Sequence, residues 1–304
     1  MNLRDLRYIV AVAEHGHFGR AAIACSVSQP TLSGQTLKLE KELGVELFER
    51  IGRTIKLTTV GVPVLAHARR AVTAADDVLA AAAVHRDPKA ASLRLGIIPT
   101  LAPYLMPLVL PVVRASMPNL HLTLVEDLTS RLTDPVLQGD LDAALIASEQ
   151  NEAGLRDDIL FDEPFWLIMP KDHPLAGQTT VAAGDIDTAA LLLLRDGHCL
   201  RDQALALCQK RDLGGGAMAD MRATSLDTLL HMVDAGYGLT LMPHLAVARD
   251  VPLPKNLTAR RLAGPHASRG IRMVSRPGSA RRETIDRLAI LVRDCVADAM
   301  ERQT

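Results

Sequence analysis

Two of the four cysteines stand nine positions apart in the run Asp196-Gly197-His198-Cys199-Leu200-Arg201-Asp202-Gln203-Ala204-Leu205-Ala206-Leu207-Cys208. Leu191 to Leu194 reads as a buried strand and Asp196-Gly197 as a turn. From Cys199 onward, good helix formers carry a two-sided pattern: Leu200, Ala204 and Leu207 against Arg201, Asp202 and Gln203. Cys199 is therefore expected at a helix N-terminus, where unpaired N–H groups and the helix dipole favour a thiolate. His198 and Arg201 are close enough in sequence to add donors or positive charge.

If residues 199–208 are helical, the axial rise between the two thiols is about 13.5 Å, at roughly 1.5 Å per residue. A disulfide needs Cα atoms within about 7 Å. Oxidation to a bond between them would require the segment to unwind and would couple chemistry to shape, as a sensor needs. The alternative on spacing alone is a pair of buried packing cysteines, because free cysteine is among the most buried residue types. Cys25 and Cys295 take that packing reading.

The 304 residues suggest two domains, and 48% hydrophobic residues allow a sizeable core. With 34 basic against 35 acidic residues the chain is not globally basic, although a local basic patch remains open. Met1 to Tyr8 carries Arg4, Asp5 and Arg7 without an apolar h-region, so no secretory signal is expected. No run approaches the roughly 18 uncharged apolar residues of a membrane span. A cytoplasmic protein with reduced thiols follows, in which any disulfide is transient or redox-sensing. There is no CxxC, HExxH or Cys/His cluster, so no metal is expected, and no phosphate-binding glycine motif points to a cofactor. Gly214-Gly215-Gly216 reads as a flexible turn and Trp166 as core, while His231 and His244 have no cluster around them.

The elements that must carry this chemistry begin with an amphipathic helix over residues 3–15, on which Leu3, Leu6, Ile9, Val10 and Ala13 share a face. A short alanine-rich helix runs from Phe18 to Cys25. A third follows from Gln29-Pro30 to Leu43, capped by Ser28, stopped by Gly44, with Leu32, Leu37 and Leu39 inward. This is a helix-turn-helix, with Gln29, Pro30, Thr31, Ser33 and Gln35 at the DNA-facing helix. Residues Glu46 to Thr58 read as a hairpin wing around Gly52, with Arg50, Arg53 and Lys56 placed for phosphates. Residues 1–60 hold eight basic and six acidic residues, a weak electrostatic footprint of +2.

Ala21-Ala22, Ser28-Gln29-Pro30-Thr31-Leu32-Ser33, Leu39-Glu40, Leu43-Gly44, Leu47-Phe48-Glu49-Arg50 and Leu57-Thr58-Thr59-Val60-Gly61 form a dense, ungapped pattern. The first 65 residues thereby resemble the LysR-type transcriptional regulators. His17 stands where many members carry serine, and Gly34 where many carry arginine.

From Thr58 or Thr59 to about Val84 runs a long alanine-rich helix whose Leu65, Ala68, Val72, Ala75, Leu79 and Ala82 form a heptad seam, expected to dimerise rather than pack on its own domain. His85 to Lys89 reads as a hinge. After residue 91 strands and helices alternate: strands at 93–98, 120–125, 141–146, 165–169, 191–194, 239–242 and 271–275, and helices at 103–115, 130–138, 226–235 and 281–300. The reading is α/β: two similar lobes with parallel sheets and a ligand crevice at the strand C-termini. Thr100 and Thr129 follow strand ends and are placed either to face that crevice or to cap the next helix. The domains expected are 1–58 winged helix-turn-helix, 59–87 linker helix and 92–304 regulatory domain.

A narrower likeness rests on Gly96-Ile97-Ile98-Pro99-Thr100, Pro103-Tyr104-Leu105-Met106-Pro107, the run Asp196 to Leu205 with Cys208, Arg222-Ala223-Thr224-Ser225-Leu226 and Arg276-Pro277-Gly278-Ser279. These resemble the peroxide-sensing members of the same family. The resemblance implies a two-lobed regulatory domain like periplasmic binding proteins. It also implies Cys199 as the thiol that attacks hydrogen peroxide and Cys208 as the one that resolves it, with Thr100, Thr129, Gly197 and His198 lining the peroxide pocket. Arg269 is implied as support for the thiolate. Operator DNA, a homotetramer built as a dimer of dimers, and RNA polymerase are the implied partners, for a regulator that is not an enzyme. Three rivals are a LysR-type regulator answering a small organic coinducer in the interlobe crevice, a thiol peroxidase, and a solute-binding protein with an unrelated N-terminal extension.

Overall fold

The computed structural model describes residues 1–51, 54–86, 92–207, 223–248 and 252–301. Cys208, Arg53, Arg222, the Gly214-Gly215-Gly216 turn and hinge positions 87–89 lie outside them, as does the side chain of Arg50. The chain forms two compact units, Met1–Pro88 and Lys89–Thr304.

In the first unit, α1 (Leu3–His15), α2 (Phe18–Ala24) and α3 (Gln29–Leu43) precede the hairpin β1 (Phe48–Ile51) and β2 (Thr54–Leu57), and α4 (Gly61–Arg86) follows. Each short helix is fixed by its cap. Asn2 and Asp5 form a reciprocal capping box on α1, and Ser28 accepts from the Thr31 N–H at the head of α3. His17 supplies the cap of α2, its Nδ1 accepting from the Gly19 N–H at 2.9 Å, which is the hydrogen bond a serine there would make. Ile9, Leu32, Leu39 and Leu47 are wholly buried. Leu37, expected inward, is exposed. At about 100° per residue it projects roughly opposite to Leu39, whereas Leu32 and Leu39, seven apart, share a face. Glu40 ties α3 to the wing: its Oε1 accepts from the N–H groups of Leu47 at 2.7 Å and Phe48 at 3.2 Å. A Cβ on Gly61 would lie 2.2 Å from the Leu47 carbonyl oxygen, so only glycine allows α4 to start there. Thr58 Oγ1 accepts from the Gly61 N–H at 2.9 Å.

The seam on α4 is divided, contrary to expectation. Leu65 and Ala68 pack on this unit's own Ile9, Leu39 and Leu47, and pairs Arg69–Glu14 (3.7 Å) and Arg7–Asp76 bracket the contact with α1. The apolar surface left by three short helices needs a cover, and the first turns of α4 supply it. Val72 and Ala75 are half-buried, and Leu79 and Ala82 are exposed.

The second unit contains β3 (Ser92–Ile97), α5 (Ala102–Ser116), β4 (His121–Glu126), α6 (Thr129–Gln138), β5 (Ala143–Ile146), β6 (Arg156–Pro170), β7 (Thr180–Ala182), β8 (Leu191–Leu192), α7 (Cys199–Leu207), α8 (Leu226–Asp234), β9 (Leu239–Pro243), α9 (His244–Val247), β10 (Leu257–Ala263), β11 (Ser268–Ser275) and α10 (Arg282–Glu301). Its first lobe is the sheet β4-β3-β5-β11-β6; its second is built on β6, β9 and β10, with β8 beside β9 and β7 beside β10.

The expected α/β, two-lobed architecture holds, but the sheets are mixed rather than parallel. β3 runs parallel to β4 and β5, whereas β6 and β11 run antiparallel to each other and β11 antiparallel to β5. The strand expected at 165–169 is the last part of a 15-residue strand serving both lobes. Residues 156–164 of β6 pair with β11; residues 165–170 pair with β9 and β10. Among the described residues no helix is long and apolar enough to cross a membrane.

Candidate functional site

α7 begins at Cys199, which is half-buried, and Leu200 and Ala204 anchor the helix in the core. The turn before it depends on Gly197, whose φ of +94° lies in the region that disfavours side chains. A Cβ on Gly197 would also stand 2.9 Å from Leu128 Cδ1, so the turn lies directly against the residue that precedes Thr129.

Thr129 opens α6, with Leu128 as the N-cap and no side-chain cap. Thr129 is already helical, so its hydroxyl is not placed to cap. Its buried Oγ1 has no hydrogen-bond partner among the described residues, and the same is true of His198 Nε2. His198 is buried, and burial, followed by the nearby Arg195 charge, pushes its pKa below the ordinary 6.5. The imidazole is neutral at pH 7, with one nitrogen a donor and one an acceptor. Arg201 turns back on its own loop, its Nε 3.0 Å from Asp196 Oδ1 and one Nη donating to the Leu194 carbonyl. Gln203, expected on the polar face, instead donates through Nε2 to the Ala147 carbonyl at 2.7 Å, just beyond β5.

Thr100 is buried and, like Thr129, does not cap its helix; Leu101 holds the cap position of α5. Instead Arg269 grips it. Nη1 donates to Thr100 Oγ1 at 2.8 Å and Nη2 to the Thr100 carbonyl at 3.0 Å. Arg269 Nε also donates to Glu163 Oε2 at 2.9 Å, and both charged side chains are fully buried. Glu163 Oε1 accepts from the Leu245 N–H at 2.9 Å. Thr100 and Arg269 are thus brought together, as are Gly197 and the head of α6. Glu163 and Leu128 are not marked by the sequence, and Gln203 is marked only as a polar-face residue; an acidic residue just before Pro164-Phe165 at an apolar strand is the one available signal for Glu163. Trp166 and His244, read separately, are partners, with Trp166 Nε1 donating to His244 Nδ1 at 3.1 Å.

On the helix expected to face DNA, Gln29, Pro30 and Thr31 are exposed at the N-terminus of α3, with Ser33 and Gln35 half-buried one turn on. The Thr31 hydroxyl shares a 2.8 Å hydrogen bond with Ser28. A Cβ on Gly34 would meet nothing within 4 Å, so the surface is open there. Lys56 is exposed on β2 opposite Glu49.

Two family profiles match the chain: the bacterial regulatory helix-turn-helix protein, lysR family, over residues 3–62, and the LysR substrate binding domain over residues 86–296. The hydrogen peroxide-inducible genes activator of Dickeya chrysanthemi is 41% identical over 302 residues, covering 99% of this chain and 98% of that protein. The DNA-binding transcriptional dual regulator OxyR of Escherichia coli (strain K12) is 41% identical over 299 residues, covering 96% and 95%. Among solved structures, a full-length OxyR variant from Pseudomonas aeruginosa matches with a TM-score of 0.81 at 37% identity, covering 96% of this chain and 95% of that one. A hydrogen-peroxide-bound OxyR mutant from Corynebacterium glutamicum matches at 0.65 and 35% identity, covering 98% and 93%. The chain belongs to the LysR family of bacterial transcriptional regulators, in its OxyR group.

Proposed function

We propose that this protein senses hydrogen peroxide through Cys199 and converts the oxidation into altered DNA binding. The carrying observation is the half-buried thiol at the first position of α7, beside a turn packed on the head of α6, with Thr129 Oγ1 and His198 Nε2 buried and unpartnered. Buried polar atoms without partners are uncommon and call for a ligand or water. Thr100 adds a third group: its oxygen accepts from Arg269, so its one proton is available to donate elsewhere.

The Cys199 thiolate attacks one peroxide oxygen. An S–O bond forms, the O–O bond breaks, and the other oxygen leaves as hydroxide, which takes up a proton to become water. Donors aimed at the leaving oxygen lower the barrier. The Cys208 thiol then attacks the sulfenic sulfur; an S–S bond forms and a second water leaves. α7 is helical through Leu207, spanning about 12 Å from Cys199 at 1.5 Å per residue, so closing the bond unwinds it. That unwinding breaks the Gln203–Ala147 hydrogen bond to the first lobe and remodels the surfaces that assemble subunits.

In this reading Gln29, Pro30, Thr31, Ser33 and Gln35 meet the operator, and Arg50, Arg53 and Lys56 its phosphates. Residues 1–58, 59–87 and 92–304 serve as DNA-binding, linker and regulatory parts of a homotetramer that recruits RNA polymerase in the cytoplasm. Each oxidation switches the protein once and leaves it in the disulfide form rather than ready for another turnover, so it acts as a regulator rather than an enzyme. A cleft of about 880 Å³ lined by Phe165, Gln203, Leu207, Gly264 and Ser268 supports a second reading, a small organic coinducer.

Peptide mapping by mass spectrometry after a brief, near-stoichiometric peroxide pulse, with free thiols alkylated on quenching, separates the two. The sensor reading expects a Cys199–Cys208 cross-link with Cys25 and Cys295 still alkylatable. A free Cys199 in a protein that still binds DNA rejects it in favour of the coinducer.

A further inference from the structure

The Glu163–Arg269 pair sits where β6 passes from one lobe to the other. The two residues are register partners, and pairing with β11 ends one residue later, at Pro164. Arg269 reaches the loop after β3 in the first lobe through Thr100, and Glu163 reaches α9 in the second through the Leu245 N–H. A fully buried ion pair is weak evidence for stability, because apolar residues of similar volume often do as well. What such a pair does supply is direction. Glu163 Oε2 takes both Arg269 Nε (2.9 Å) and Nη2 (2.8 Å), which fixes the guanidinium plane, and that plane then presents Nη1 to Thr100 Oγ1.

Resting on the peroxide-sensor reading, we propose that Glu163 is a positioning residue of the peroxide pocket. It holds Arg269 so that the Thr100 oxygen is occupied as an acceptor and the Thr100 proton is committed to the pocket. Glu163 acts through two intermediaries and touches no reacting atom.

The test compares Cys199 in the full-length reduced protein against two reagents, hydrogen peroxide and iodoacetamide; the second needs the thiol but no peroxide-aligning donor. Glu163→Gln is expected to slow oxidation by roughly tenfold or more, the scale on which a lost aligning donor acts, while alkylation changes less than about twofold. Thr100→Val, which keeps the ion pair, is expected to slow oxidation similarly. The Glu163→Gln/Thr100→Val double variant should then be no slower than Thr100→Val alone, because both act through one hydroxyl. Should Glu163→Gln fail to fold, Glu163→Asp keeps the charge and Arg269 but shortens the reach to the guanidinium, and is expected to show the same selective loss. Oxidation at the unmodified rate, equal slowing by both reagents, or multiplicative effects in the double variant would each overturn the proposal. Failure of the underlying sensor reading looks different: the unmodified protein itself leaves Cys199 unoxidised.

Discussion

Leu128 Cδ1 lies 2.9 Å from where a Cβ on Gly197 would be, so the turn that presents Cys199 and the cap of α6 share a surface with no room for one more carbon. Gly197→Ala therefore carries two penalties: the overlap, and a positive φ that costs a non-glycine residue about 1–2 kcal/mol. The variant is expected to melt lower and to lose peroxide reactivity at Cys199. Adding Leu128→Ala should improve the fit at Gly197→Ala but leave the backbone cost, which thermal unfolding of the three variants and the parent separates.

Glu40 and Lys56 offer a contrast in how the wing contributes to DNA binding. Glu40→Ala strands two N–H groups of the wing, and hydrogen bonds to a charged group are worth about 1.5–3 kcal/mol. Binding to operator DNA should weaken while the slope of log affinity against log salt stays the same. Lys56→Ala should instead lower that slope by about one, the signature of a lost phosphate contact. Salt titrations by fluorescence anisotropy distinguish them.

His17 caps α2 through its ring nitrogen. Ser supplies an equivalent acceptor, so His17→Ser should leave stability nearly unchanged. His17→Ala should cost about 1 kcal/mol, the usual value of a lost N-cap. Urea unfolding followed by circular dichroism checks both.

His198 and His244 have folded-state pKa values below the ordinary 6.5, chiefly from burial. Below that value the unfolded chain binds more protons than the folded one, so stability falls as pH drops through about 6.5 toward the depressed folded values. His198→Gln is expected to flatten the decline between pH 7 and 5.5. A fall as steep as the parent's would assign it to other groups.

Much of this was legible in the sequence, and the rest was hidden for identifiable reasons. α3 could be read because Ser28, Pro30 and Gly44 are local signals, and the head of α7 because Asp196-Gly197 precedes a run of helix formers. The first half of β6 has no strand pattern of its own: Asp157, Asp158 and Glu163 interrupt the alternation, and only 165–169 reads as strand. Each is matched by an arginine, Asp157 with Arg272, Asp158 with Arg156 and Glu163 with Arg269. The grip of Arg269 on Thr100 joins residues 169 positions apart, beyond the reach of any local pattern. The seam on α4 was visible, but periodicity does not say that its first two positions are taken by the residues' own domain.

The 15 residues of β6 span about 50 Å at 3.3 Å each, and this one strand is hydrogen-bonded into both sheets. Neither lobe therefore possesses a complete sheet of its own. A chain cut after Pro164 deprives the second lobe of the strand that pairs with β9 and β10, and a chain begun there deprives the first of one of the two partners of β11. Chimaeras between relatives that exchange one lobe must carry β6 whole, and the two lobes should gain and lose hydrogen-exchange protection together, as a single cooperative unit.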